Sequence, residues 1–120
     1  MTKIPLARPL LDRLALRFKA LAEPNRLAIL STLLAGERSV SELIEATGLG
    51  QANVSKHLLM LHQQGFVERR KEGLNVIYRL VDEDVFHICD IMCGKLERDA
   101  RDIGEMLAAG AARRPEPVGE

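Results

Sequence analysis

At Gly65 the spacing of apolar residues changes from one secondary-structure period to another, and this change constrains the fold of the 120-residue chain more than any other feature. Before it, in "GQANVSKHLLML", Val54, Leu58 and Leu61 fall at i, i+4 and i+7, which makes one apolar face of a helix over residues 51–64. After it, two short runs, Phe66 to Lys71 and Asn75 to Leu80, carry Val67, Val76, Ile77 and Tyr78 around the turn sequence "KEGLN". That pattern predicts a β-hairpin.

Upstream of the switch the helical period repeats. "PLLDRLALRFKALA" at 9–22 predicts an opening helix, and "EPNRLAILSTLLAG" a second, with Pro24 in its first turn and Gly36 as its stop. "SVSELIEATG" predicts a third, capped by Ser39 or Ser41, with Gly48 supplying the positive φ of a tight turn. From Asp82 the pattern returns to helix. Asp82, Glu83 and Asp84 suit the positive end of its dipole, and Val85, Cys89, Met92, Leu96 and Ile103 form a stripe that needs a partner.

The expected architecture is mainly α with a small β-hairpin wing, ordered helix, helix, helix, helix, strand, strand, helix. A single domain over 9–109 is expected, between a flexible arm at 1–8 and a disordered tail at 110–120. With 3% aromatic residues and no Trp, the core must be built from Leu, Ile, Val, Met and Ala, which favours helix on helix packing. No stretch approaches the roughly 18 apolar residues of a membrane span, and the first residues lack the apolar region of a signal peptide. A cytoplasmic location is expected. Two cysteines, Cys89 and Cys93, are too few and too close for a secreted disulfide framework and are expected to be reduced.

Net charge is zero, but it is unevenly distributed. Between Gly50 and Leu80, Lys56, Arg69, Arg70, Lys71 and Arg79 face only Glu68 and Glu72, whereas residues 82–99 are acidic. Two helices joined by a Gly-containing turn and followed by a basic hairpin make a winged helix-turn-helix. Its second helix presents its N-terminal turns to the major groove of double-stranded DNA. Gln51, Asn53, Ser55 and Lys56 can hydrogen-bond base edges or phosphates, and with Ala52 and His57 they form the candidate DNA-binding surface. Arg69, Arg70 and Lys71 would approach adjacent phosphates, with Asn75 at the hairpin tip. No nucleophile triad, phosphate-binding Gly loop, metal-carboxylate cluster or Cys-x-x-Cys motif indicates an enzyme. A protein-binding use of the winged helix stays open.

"LAEPNRLAIL" at 21–30, "SVSELIEATGLGQANVSKHLLMLHQQGFVERRKEG" at 39–73 and "VIYRL" at 76–80 closely resemble the ArsR/SmtB family of bacterial transcriptional repressors. The resemblance spans most of residues 10–100. It implies a homodimer through the first and last helices, a palindromic operator, and release by an inducer. Ile44 departs from the Ala usual in such turns. Metal-sensing members carry a Cys-x-Cys pair where this chain has Ser39 and Ser41, and hydroxyls are poor ligands for soft metals. A second family site on the last helix is matched by Asp82, but Asp84, Lys95 and Arg98 occupy its other positions. No cofactor is required on this reading. Cys89 and Cys93, one turn apart on the last helix, remain as candidate sensors of an oxidant, a reactive sulfur species or a thiophilic ion such as arsenite. The alternative is a regulator whose cysteines only pack, controlled by another ligand or by abundance.

Overall fold

The computed structural model describes residues 6–111. The elements are α1 (Arg8–Leu21), α2 (Pro24–Leu34), β1 (Arg38–Ser39), α3 (Val40–Thr47), α4 (Gln51–Gln63), β2 (Val67–Glu72), β3 (Asn75–Leu80) and α5 (Asp84–Ala111). The chain divides between Glu83 and Asp84 into two compact units.

In the first unit each helix starts and stops for a local reason. Glu23 caps α2, its carboxylate accepting from the backbone N–H groups of Asn25 and Arg26 at 3.1 Å each, while Pro24 occupies the first turn, where a missing N–H costs nothing. Ser39, of the two serines expected as caps, begins α3. Its hydroxyl accepts from Glu42 N–H at 3.1 Å and the Glu42 carboxylate accepts from Ser39 N–H at 2.8 Å, a reciprocal capping box. Gly48 ends α3 in the left-handed region at φ 74, as its place between two helical patterns predicts. Gly65, at φ 79, ends α4: its N–H bonds to His62 C=O and that of Phe66 to Leu61 C=O, the paired bonds of a Schellman motif. That motif delivers Phe66 and Val67 straight into the sheet.

Ile29, Leu30 and Leu33 of α2, Leu43 of α3 and Val54, Leu58 and Leu61 of α4 are buried together with Phe66, Val67 and Tyr78. Each such side chain contributes about 1.5–3 kcal/mol on leaving water, so the helix-turn-helix and the base of the hairpin share one core.

The hairpin forms as expected from Asn75 to Leu80, but its first arm runs Val67–Glu72, one residue later than the sequence pattern indicates. The sheet also has three strands, not two, in the order β1-β3-β2. Arg38 pairs with Tyr78 and Ser39 with Ile77, while β2 and β3 pair from Val67–Leu80 to Glu72–Asn75. β1 carries no sequence signal because two residues cannot show a period, and because Ser39 passes directly from strand pairing to capping α3.

The second unit is the 28-residue helix α5, about 42 Å long at 1.5 Å per residue. It runs through Ala111, two residues into the segment expected as tail. The remainder of that tail and residues 1–5 of the expected arm lie outside the described residues. No helix among the described residues is long and apolar enough to cross a membrane.

Candidate nucleic-acid interface

α4 has two faces. Val54, His57, Leu58 and Leu61 are buried, whereas Gln51, Ala52, Asn53, Ser55 and Lys56 are exposed. Gly50 precedes the helix without a side-chain cap, so its first-turn amides have no side-chain acceptor. Five of the six α4 residues expected to face DNA therefore share one solvent-facing surface at the N-terminal end of the helix.

His57 is the exception. It is only 9% exposed, with Nδ1 3.3 Å from the Arg26 guanidinium and Nε2 3.4 Å from the Glu23 carboxylate. Its position explains this correction. His57 stands at i+3 from Val54 and i−4 from Leu61, inside the apolar stripe, so periodicity marks it for the interior although its side chain is polar.

The hairpin divides its cations between two faces. On one, Arg70 donates to Glu37 at 2.8 Å and to Glu72 at 3.1 Å, and Arg79 donates to Glu68 at 3.1 Å. The Arg70 hydrogen bond holds the Glu37 carboxyl below the usual carboxylate range despite the opposing effect of desolvation, and the two acids push the Arg70 guanidinium upward. Arg70, expected to be available to phosphate, is thus engaged within the protein. On the other face Arg69 and Lys71, opposite Tyr78 and Val76, make no hydrogen bond or ion pair among the described residues, and neither does Lys56 of α4. Asn75 is exposed beside the turn and pairs with Glu72.

Two supports were missed in the sequence. Arg17 of α1 donates to the Gln64 carbonyl at the end of α4, and its guanidinium lies 4.4 Å from the centre of the Phe66 ring. Glu37 anchors Arg70 from the segment before β1. Both pairs lie far apart in sequence, and only their opposite chemistry offered a signal.

On α5, Cys89 is half-buried and Cys93 exposed. Burial pushes the Cys89 thiol up, with Cys93 and Asp90 adding to the effect. The Ser39 hydroxyl is committed to capping α3. Among the described residues of this single chain, no group of three His, Cys, Asp or Glu side chains is placed to hold a metal.

Helix, turn and exposed polar helix, closed by a hairpin, define a winged helix-turn-helix regulator. A family model described as "Bacterial regulatory protein, arsR family" matches residues 23–69. A crystal structure of Rv0081 from Mycobacterium tuberculosis superposes with a TM-score of 0.71 at 34% identity, covering 80% of this chain and 97% of that one. The chain belongs to the ArsR family.

The solution structure of a homodimeric winged helix-turn-helix domain, Mb0332 from Mycobacterium bovis, superposes with a TM-score of 0.69 at 33% identity, covering 83% of this chain and 95% of that one. It is described as a possible ArsR-family transcriptional regulator. The probable mercury resistance operon repressor of Streptomyces lividans is 39% identical over 83 residues, 69% of this chain and 65% of its own length. The chain spans about half to two thirds of the length of several curated relatives, 47% of one and 62% of another.

Proposed function

We propose that this chain is a homodimeric transcriptional repressor that binds a palindromic operator and is released by an inducer. The observation that carries this reading is the segregation on α4, where Gln51, Asn53, Ser55 and Lys56 face solvent together while Val54, Leu58 and Leu61 seat the helix. In a winged helix-turn-helix that face enters the major groove, where amide and hydroxyl side chains meet base edges. Arg69 and Lys71 reach flanking phosphates, which fix register without reading sequence. Dimerisation through α1 and α5 is supported by the uncovered Leu10, Leu14 and Phe18 of α1 and Met92, Leu96 and Ile103 of α5. Lys56→Ala tests the DNA assignment: an anisotropy titration at stated salt should show weaker binding by a dimer of unchanged stability, and unchanged affinity counts against it.

The inducer acts on Cys89 and Cys93. Two thiols one helical turn apart can bind a thiophilic ion as thiolates, their protons passing to water or to the hydroxide groups the ion gives up, and the mercury-resistance relative keeps that chemistry in view. Half-burial pushes the Cys89 thiol up, so its thiolate is scarce for ion capture and for attack on an oxidant alike. The same half-burial supports a second reading, in which the cysteines only pack and control lies elsewhere. Loss of operator binding with arsenite, abolished when both cysteines are Ser, supports sensing; binding indifferent to arsenite, persulfide and peroxide supports the second reading.

A further inference from the structure

Beneath the exposed face of α4, Glu23, Arg26 and His57 meet where three helices converge. Every nitrogen of the Arg26 guanidinium has its own partner. Nε donates to the Ala20 carbonyl at 2.7 Å and Nη2 to the Lys19 carbonyl at 3.0 Å, both in the last turn of α1, and Nη1 lies 3.3 Å from Nδ1 of His57. A guanidinium can only donate, so the geometry makes Nδ1 the acceptor and leaves Nε2 to carry the ring proton. That nitrogen faces Oε2 of Glu23 at 3.4 Å, and the same carboxylate caps α2. Desolvation pushes the Glu23 carboxyl up, but the backbone N–H groups of Asn25 and Arg26 together with the neighbouring His57 and Arg26 side chains hold it below its usual range, so at neutral pH it is charged and accepts. One compact network therefore ties the end of α1 and the start of α2 to the middle of α4.

Apolar packing cannot supply what this network supplies. Burial of Val54, Leu58 and Leu61 holds α4 against the core and turns its polar face outward, but the hydrophobic effect is non-directional and sets the rotation of the helix less finely than hydrogen bonds do. Base reading requires side chains placed within about 0.5 Å and about 10–20°. Hydrogen bonds are directional, and His57 directly follows Ser55 and Lys56, so the angle at which its ring is held determines where those two exposed side chains point.

Resting on the DNA-reading assignment above, we propose that Glu23, Arg26 and His57 are positioning residues for operator recognition, setting the rotation of α4 without touching DNA. The network acts on sequence discrimination and leaves sequence-independent attraction to phosphate, which depends on Arg69 and Lys71 of the wing, in place.

The test uses the full chain and a duplex enriched by the wild-type protein from a random pool, set against a shuffled duplex of equal length. His57→Leu keeps an apolar seat and removes both polar contacts; His57→Gln keeps one donor and one acceptor. His57→Leu should lower affinity for the enriched duplex by about tenfold while affinity for the shuffled duplex holds, and His57→Gln should recover most of the loss. A His57→Leu protein that keeps the ratio of the two affinities overturns the proposal. If His57→Leu does not fold, Glu23→Ser decides, because Ser preserves the cap of α2 and withdraws the carboxylate from His57: a reduced ratio supports the network and an unchanged one overturns it. Failure of the wild-type protein to enrich any duplex removes the DNA-reading assignment itself, and the proposal falls with it in the wild-type arm before any variant is compared.

Discussion

Adjacent arginines on β2 differ in what holds them. Arg70 is tied to Glu37 and Glu72, whereas Arg69 makes no ion pair or hydrogen bond among the described residues. Arg69→Ala should therefore flatten the plot of log affinity against log salt by about 0.9, one phosphate contact, and Arg70→Ala should change that slope less. Titrations across a salt series compare the two directly. The Glu37 partnership has its own pH window. A carboxyl whose native value is lowered contributes stability that is fully present above its unfolded value, about 4.3, and is lost as pH falls through the native value. The wing anchor should thus hold at neutral pH and loosen only in acid, with Glu37→Gln loosening it at every pH, as amide exchange at Arg70 and Ile77 reports. At this scale the sequence was legible where a residue's role followed from its period. His57 could have been assigned to the interior from the stripe it interrupts, but the Glu37–Arg70 pair, 33 residues apart, could not, because no local spacing joins them.

Secondary elements here are bounded by a few residues whose conformations are fixed by chemistry. Gly48 turns α3 into α4 at φ 74, and a Cβ there meets nothing within 4 Å, so Gly48→Ala isolates the backbone effect. A loss of about 1 kcal/mol is expected in urea unfolding. At Gly65, φ 79, an added Cβ would meet only the end of the Arg17 side chain at 3.4 Å, an ordinary contact, so Gly65→Ala should cost about as much as Gly48→Ala. A much larger loss at Gly65 would mean that the added methyl displaces Arg17 from the Gln64 carbonyl. Helices and the hairpin were readable because each has a local signature, Pro24 in a first turn and Gly at each turn, whereas the cap of α3 was narrowed only to Ser39 or Ser41 and the Glu23 cap of α2 was not read. β1 was not, since its two residues acquire strand character only from β3, which lies nearly forty residues away.

For the whole molecule, the central question is what the exposed face of α4 does. Leu96, 63% exposed, and Ile103, 55% exposed, stand on α5 as apolar groups that a second copy would cover. Leu96→Asp should shift the protein toward monomer in sedimentation and lower operator affinity together, because two half-sites must be engaged at once. A dimer unmoved by that change would place the interface elsewhere. The family and the winged helix-turn-helix were legible from motifs that have a physical basis; the signal was not, because Cys89 and Cys93 carry the same residue types whether they sense or only pack. The most direct measurement is a chemical-shift titration of the labelled full chain with a duplex selected by the protein. Backbone and side-chain signals of Gln51, Asn53, Ser55 and Lys56 should move, with Arg69 and Lys71 following. Shifts that leave α4 untouched, or that are the same with a shuffled duplex, would contradict the reading of sequence by this helix.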